Sequence, residues 1–229
     1  MPHSPSYDPN TFAPHILYSD NHLLAANKPA GMLAQDSGTG LFNLEDWARE
    51  WVRVEKKKTG RAFLQAVHRI DRPVSGVVLF ARTSKALTRL HQAIRDRACQ
   101  KIYHALVKNS PQKPAMKLEH WILHEHRRGI ICDQKVPHAK RAILRYKILK
   151  KLPQSTLLEI YLETGRYHQI RAQLAAIGCP IIGDVRYQSD APAPAPSAIA
   201  LHHHCLQIEH PVRREPLKIE APDPSYFQE

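Results

Sequence analysis

The chain has 229 residues, with 33 lysines and arginines against 21 acidic residues, a formal net charge of +12. That excess excludes a preference for cationic ligands and favours polyphosphate partners, nucleic acid first among them. Four scattered cysteines, Cys99, Cys132, Cys179 and Cys205, form no CxxC pair, which excludes a disulfide framework and points to a reducing compartment.

The start, MPHSPSYDPNTFAPH, lacks a basic stretch followed by an apolar run, and no apolar stretch approaches membrane-spanning length. A soluble, cytoplasmic, monomeric protein without a membrane partner is expected. Residues 1–15, rich in Pro, Ser and Asn, read as a loosely ordered tail. Two apolar runs, ILY and HLLAAN, read as strands split by the turn-forming SDN, and KPAG after them is a turn. LFNLEDWAREWV repeats apolar residues at Leu41, Leu44, Trp47, Ala48 and Trp51, an amphipathic helix pattern followed by a basic surface loop, KKKTGR. QAVHRI is predicted as a strand leading to Asp71, and SGVVLFAR as a buried strand. Thr83 or Ser84 suits an N-cap for the helix KALTRLHQAIRDRA, with Leu87, Leu90 and Ile94 at helical spacing.

IYHALV, RAILRYKIL and TLLEIYLET read as further strands, although residues 108–155 are the least informative stretch. IRAQLAAIG is a short helix with Gly178 as its stop. DAPAPAPSA is a loop, and LHHHCLQIEHP is expected to be the last strand. Strands and helices mix without a regular beat, and hairpin-like pairs recur. The predicted class is α+β: one domain over residues 16–229, with a mixed, mostly antiparallel central sheet flanked by helices and loops.

HRIDRPVSGVVLFARTSK sets one carboxylate, Asp71, between Arg69 and Arg72, just before a proline. Pro73 fixes its own backbone and pushes Arg72 away from helix, and Ser75-Gly76 permits a further bend. Asp71 is thus expected on a short loop that can aim a side chain out of the core. Alone, it would read as a turn aspartate bonding its own backbone. A second cluster, TGRYHQIRAQLAAIGCPIIGDVRY, crowds Arg166, His168, Gln169 and Arg171 onto a helix start, where backbone donors and guanidinium groups suit anions. One of these arginines could instead pair with a buried carboxylate.

HRIDRPVSG, then KIYHALV, then TGRYHQIR…GCPIIGD resembles the RluA-type pseudouridine synthase family. Its signatures run in this order: an HRLD segment, a K-x-Y strand, and GRTHQIR followed by G-x-P-I-x-GD. ILYSDNHLLAANKPAGML is similar to its opening segment. The resemblance runs from about Ile16 to LHHHCLQIEHP and implies a pseudouridine synthase fold with an active cleft across the sheet. It implies isomerisation of uridine in structured rRNA or tRNA to pseudouridine, without a cofactor. It makes Asp71 the catalytic aspartate, Tyr103 the ring stacking on the target base, and Arg171 the partner holding Asp71 by a salt bridge. Arg69 would enter the RNA helix or help expel the base. Arg166 and His168 would contact backbone or substrate, and Lys28 and Lys101 would face phosphates. With the first motif near Ile16, no separate N-terminal RNA-binding appendage is expected. Pro73-Val74 stands where the family usually has Asp-Thr, Tyr167 where it has a small hydroxyl residue, and Gln173 where it has histidine. These departures bear on substrate choice and remove no residue assigned to the chemistry.

The implied reaction breaks a C–N glycosidic bond, rotates the uracil and joins its C5 to the same sugar carbon. An ionised aspartate can attack that carbon, stabilise its charge, or take a proton from the neighbouring carbon. A hydrolytic glycosidase would normally need two carboxylates around a water. The base must be extruded from a stack, a step that an arginine wedge and an aromatic platform serve.

Two other classes compete. A non-catalytic RNA-binding module on the same fold would show the same charge. A metal-dependent hydrolase could use His202, His203, His204 and Cys205, but strand neighbours point to opposite faces, so at most two share an ion. That run reads as a polar strand edge with a buried cysteine, and no metal is expected.

Overall fold

The structure, a computed structural model, describes residues 15–57, 60 and 62–227. The expected tail therefore lies outside the described residues except for His15, as do residues 58, 59 and 61 of the basic loop. The chain forms two compact units, one comprising the chain up to Cys99 with Cys205–Pro222, the other Gln100–His204 with the residues from Asp223 on.

The first unit opens with β1 (His15–Ser19) and β2 (Leu23–Lys28), then α1 (Leu44–Glu55), β3 (Gln65–Ala66), β4 (Ser75–Ala81) and α2 (Ser84–Arg95). The second holds β5 (Gln100–Val107), β6 (Ala115–Glu125), β7 (Arg128–Cys132), β8 (Lys140–Lys151), β9 (Thr156–Leu162) and α3 (Gln169–Ala176). Strand β10 (Leu201–Glu209) gives its first four residues to the second unit and its last five to the first, where β11 (Pro216–Glu220) pairs with it.

In the first unit β2 pairs antiparallel with β1 and with β4, Leu23 facing Ala81 and Lys28 facing Gly76. Every residue of β4 is buried, as its continuous apolar run requires. Alternate residues of these strands, Leu23 and Ala25 with Val77, Leu79 and Ala81, form a core with Ala86 and Leu90 of α2 and with Leu206, Ile208 and Ile219. Thr83 caps α2 by accepting from the Ala86 amide at 3.2 Å. In the second unit β5, β9, β8, β6 and β7 pair in that order, all antiparallel. Helix α3 ends in a Schellman turn: Gly178, at φ 75°, donates to Ala175 and Cys179 donates to Leu174.

The architecture is α+β with a mostly antiparallel sheet, as the sequence indicates. Among the described residues no helix is long and apolar enough to cross a membrane. Four elements differ from expectation. Helix α1 begins at Leu44, capped by Asn43, and buries Leu44, Ala48 and Val52, so Leu41 lies outside it and is exposed. Only Gln65–Ala66 of QAVHRI is strand; beyond it the chain bends, with the Val67 amide donating to Leu79 O and the Leu79 amide donating to His68 Nε2. The hairpin β6–β7 fills a stretch that gives little signal because its apolar residues do not mark one buried face: Met116 and Ile130 are exposed. Finally, LHHHCLQIEHP is not the last strand, since the less apolar PLKIE adds β11.

Candidate active site

Asp71 is half-buried on a tight turn just before β4, with the Val74 amide donating to its carbonyl at 3.0 Å. The preceding KPAG turn clasps this segment through the main chain. Arg72 O accepts from the Gly31 amide at 2.8 Å and from Lys28 Nζ at 3.1 Å, while Arg72 Nε donates to Gly31 O at 2.8 Å. Gly31 holds φ 84°, a conformation that favours glycine.

Lys28 ends β2 opposite Gly76 and is fully buried. Its three donors go to Pro29 O at 2.9 Å, Met32 O at 2.7 Å and Arg72 O. Burial pulls its pKa down to about 7, against the opposing pull of the Asp71 carboxylate. The expectation that Lys28 faces a phosphate is therefore corrected: a lysine at a strand end turned inward to satisfy three carbonyls has no donor left for solvent. Arg69 is exposed two residues before Asp71.

In the second unit the TGRYHQIR segment folds through side chains. Thr164 Oγ1 accepts from the Ile143 amide at 2.8 Å and donates to Gln169 Oε1 at 2.8 Å. Gln169 Oε1 also accepts from the Arg166 amide, and its Nε2 donates to Ile143 O. His168 sits before α3 at φ 53°, buried, with Nδ1 3.0 Å from the Tyr187 hydroxyl. That hydroxyl also accepts from the Gly129 amide at 2.7 Å. Arg166 is half-buried and its Nε donates to Arg141 O at 2.9 Å.

Arg171 is buried and meets Asp184 bidentately, Nε to Oδ2 at 2.6 Å and Nη2 to Oδ1 at 2.8 Å. Its guanidinium carbon lies 5.1 Å from the centre of the Tyr187 ring, and burial raises the Tyr187 hydroxyl. The sequence reading placed Asp184 inside the GCPIIGD motif but gave it no partner. The signal was available: a buried arginine needs a carboxylate, and GD supplies one. Gln173, standing where the family has histidine, is fully buried and donates through Nε2 toward Leu118 O and Ala142 O, tying α3 to β6 and β8.

Tyr103 on β5 is buried, one face stacked on His203 of β10 at 4.4 Å between ring centres. Lys101 is half-buried at the start of the same strand. His202 and His203 are buried, 1% and 0% exposed, so the histidine run is interior strand and not the polar edge expected of it.

One group among the described residues could bring three metal-ligand atoms together: His104, His204 and Asp223. Their geometry suits hydrogen bonding better. The two imidazoles are stacked at 4.0 Å and 14°, and both Nδ1 atoms face the same Asp223 oxygen. An ionised carboxylate only accepts, so both Nδ1 atoms donate to Asp223, at 2.9 and 3.1 Å. Burial alone would raise the Asp223 carboxyl, but these two bonds outweigh it and hold it far below the usual carboxylate range. The cluster anchors the residues after β11.

The model of the RNA pseudouridylate synthase family matches residues 22–176, and the chain belongs to that family. A ribosomal large subunit pseudouridine synthase C of Vibrio vulnificus is 34% identical over 90% of this chain and 65% of its own length. The protein of the same name from Rickettsia bellii is 32% identical over 93% and 69%. The chain thus spans about two thirds of the length of these curated relatives. Among solved structures, human RNA Pseudouridylate Synthase Domain Containing 4 superposes with a TM-score of 0.77 over 93% of this chain and 90% of that one, at 22% identity. That likeness bears on the fold alone.

Proposed function

We propose that the protein isomerises uridine to pseudouridine in large-subunit ribosomal RNA, with Asp71 as the catalytic carboxylate. Family membership supports the reaction class, and the relatives' names favour ribosomal over transfer RNA. The observation that carries the residue assignment is the clasp around Asp71. A buried lysine and a glycine turn fix the backbone at Arg72, and the Val74 amide holds the Asp71 carbonyl, so the turn that carries the Asp71 side chain is held from the residues after it. A preorganised carboxylate is what a departing base and an electron-poor sugar carbon require.

In this reading Arg69 fills the gap left by the extruded base and Tyr103 receives the uracil, its ring already held flat by His203. Asp184 sets the orientation of the Arg171 guanidinium. Arg166 and Lys101 meet the RNA backbone. His168, buried against Tyr187, acts on the loop that carries Arg166.

The test is tritium release from RNA labelled at uridine C5, without added metal or cofactor. Wild type is expected to release tritium stoichiometrically. Asp71→Asn is expected to release none while binding RNA within a few-fold of wild type. Equal turnover by that variant would remove Asp71 from the chemistry, and RNA binding without turnover by wild type would favour a non-catalytic binding module.

A further inference from the structure

Tyr167, the departure from the family's small hydroxyl residue, lies in the middle of a pile of three rings. His124 of β6 covers one of its faces at 4.0 Å and 28°, and His168 covers the other at 4.0 Å and 16°. The inner end of the pile is fixed, because His168 is buried and bound to Tyr187. The outer end is not covered in this way. His124 is exposed near the tip of the β6–β7 hairpin, and among the described residues Tyr167 is the one ring stacked on it. Gly129, directly across the hairpin from His124, is pressed onto the Tyr167 backbone: a Cβ there would stand 2.5 Å from Tyr167 O. Hairpin and loop are thus locked together beneath an open imidazole.

The charges around this pile are unusual for the molecule. Arg141 and Arg145 of β8 have carboxylate partners, Glu119 and Glu163. Arg127, Arg128, Arg166 and Arg186 have none among the described residues. Three of them are instead aimed by carbonyl oxygens: Arg128 by Arg186 O at 2.6 Å, Arg186 by Arg127 O at 2.8 Å and Arg166 by Arg141 O at 2.9 Å. A guanidinium oriented by a carbonyl keeps its full charge. Among the described residues Glu125, the acid at the hairpin, reaches His126 alone, at 3.7 Å.

We propose that the outer face of His124 is a seat for one unpaired base of the RNA, with Tyr167 as the positioning residue behind it and the four arginines receiving the adjoining phosphates. The proposal rests on the RNA-modifying reading above and adds to it a contact away from the reacting uridine. Stacking is tolerant of base identity, and oriented guanidinium groups match phosphate oxygens, so the occupant is a single-stranded nucleotide and not a duplex edge.

The test uses the full chain and a single-stranded RNA decamer containing one 2-aminopurine, whose fluorescence falls when it stacks. Wild type and His124→Phe are expected to quench it with similar affinity, while His124→Ala and Tyr167→Thr bind about tenfold more weakly and quench less. Arg128→Gln is expected to lower the slope of log affinity against log salt by about 0.7, one single-strand phosphate contact. Turnover on a large-subunit ribosomal RNA transcript is measured in parallel: His124→Ala should raise KM with kcat within a few-fold. Wild-type quenching by His124→Ala, with unchanged KM, overturns the seat and leaves the isomerase reading standing. Quenching that depends on His124 in a protein without turnover keeps the seat and overturns the isomerase.

Discussion

Asp71 and Arg171 are both half-hidden or buried charged groups at the heart of the candidate chemistry, and they are held by different means. Around Asp71 the bonds run through main-chain atoms: Arg72 O, Gly31 N and O, Pro29 O and Met32 O, with the Lys28 and Arg72 side chains tying them. Around Arg171 they run through side chains: Asp184, Tyr187, His168, Gln169 and Thr164, drawn from α3 and the turns on either side of it. A main-chain clasp tolerates changed neighbours, which is how Pro73-Val74 can replace the family's Asp-Thr without disturbing the Arg72 carbonyl. In a side-chain lattice each member sets the next, so a single deletion should spread.

The largest effect is expected at Asp184. Asp184→Ala leaves Arg171 buried, 5% exposed, without that carboxylate, and should destabilise the protein by about 3–5 kcal/mol in urea unfolding. Replacing both partners, Arg171→Met with Asp184→Leu, should recover more than half of that loss while tritium release stays abolished. A single-variant loss below about 1 kcal/mol would mean that the lattice does not depend on this pair.

Next in size is a pair of glycines in the same region. Gly129→Ala sets a methyl against the Tyr167 carbonyl, a main-chain atom that cannot swing aside, and should cost about 1–3 kcal/mol. Gly165→Ala, where a Cβ meets nothing within 4 Å, should stay within about 0.5 kcal/mol. Similar costs at both positions would show that the hairpin and the loop are not locked.

On the clasp side the measurable handle is pH. The unfolded chain keeps the Lys28 proton up to the ordinary value of 10.5, whereas the folded chain releases it near 7. Between those values unfolding takes up a proton, so this group makes stability rise with pH, by at most about 1.4 kcal/mol per unit. Lys28→Met should lose that rise. Urea midpoints at pH 7, 8 and 9 for both proteins give the difference, and identical slopes would place the lysine's charge outside the clasp.

The same contrast governs what could be read without coordinates. The Asp71 turn is written locally, as a proline and a glycine between two apolar runs, and so are the Thr83 cap and the Gly178 stop. The Asp184 partner of Arg171 is hard to see because twelve positions separate the two, and only the need of a buried arginine for a carboxylate points from one to the other. Tyr187 and Gly129 were hidden because their value lies in a contact between hairpin and loop. Lys28 misled because a basic chain makes every lysine resemble a phosphate ligand, and only register shows that this one turns inward. The β6–β7 hairpin was faint because much of its length is exposed, Met116 and Ile130 included, so its apolar residues do not fall on one buried face.

The smallest expected effect marks the limit of the clasp. Thr83 satisfies one amide at the start of α2, that of the fully buried Ala86, so Thr83→Ala should cost about 1 kcal/mol. Because α2 packs on the far end of β4 from Asp71, around Leu79 and Ala81, and the Asp71 turn is fixed by main-chain bonds at the near end, the loss should stop there. Tritium release by Thr83→Ala should match wild type at 25 °C. A fall of more than about threefold in a variant that is still fully folded would mean that the geometry at Asp71 depends on the helix as well as on the turn. The division between a locally held carboxylate and a lattice-held guanidinium would then have to be redrawn.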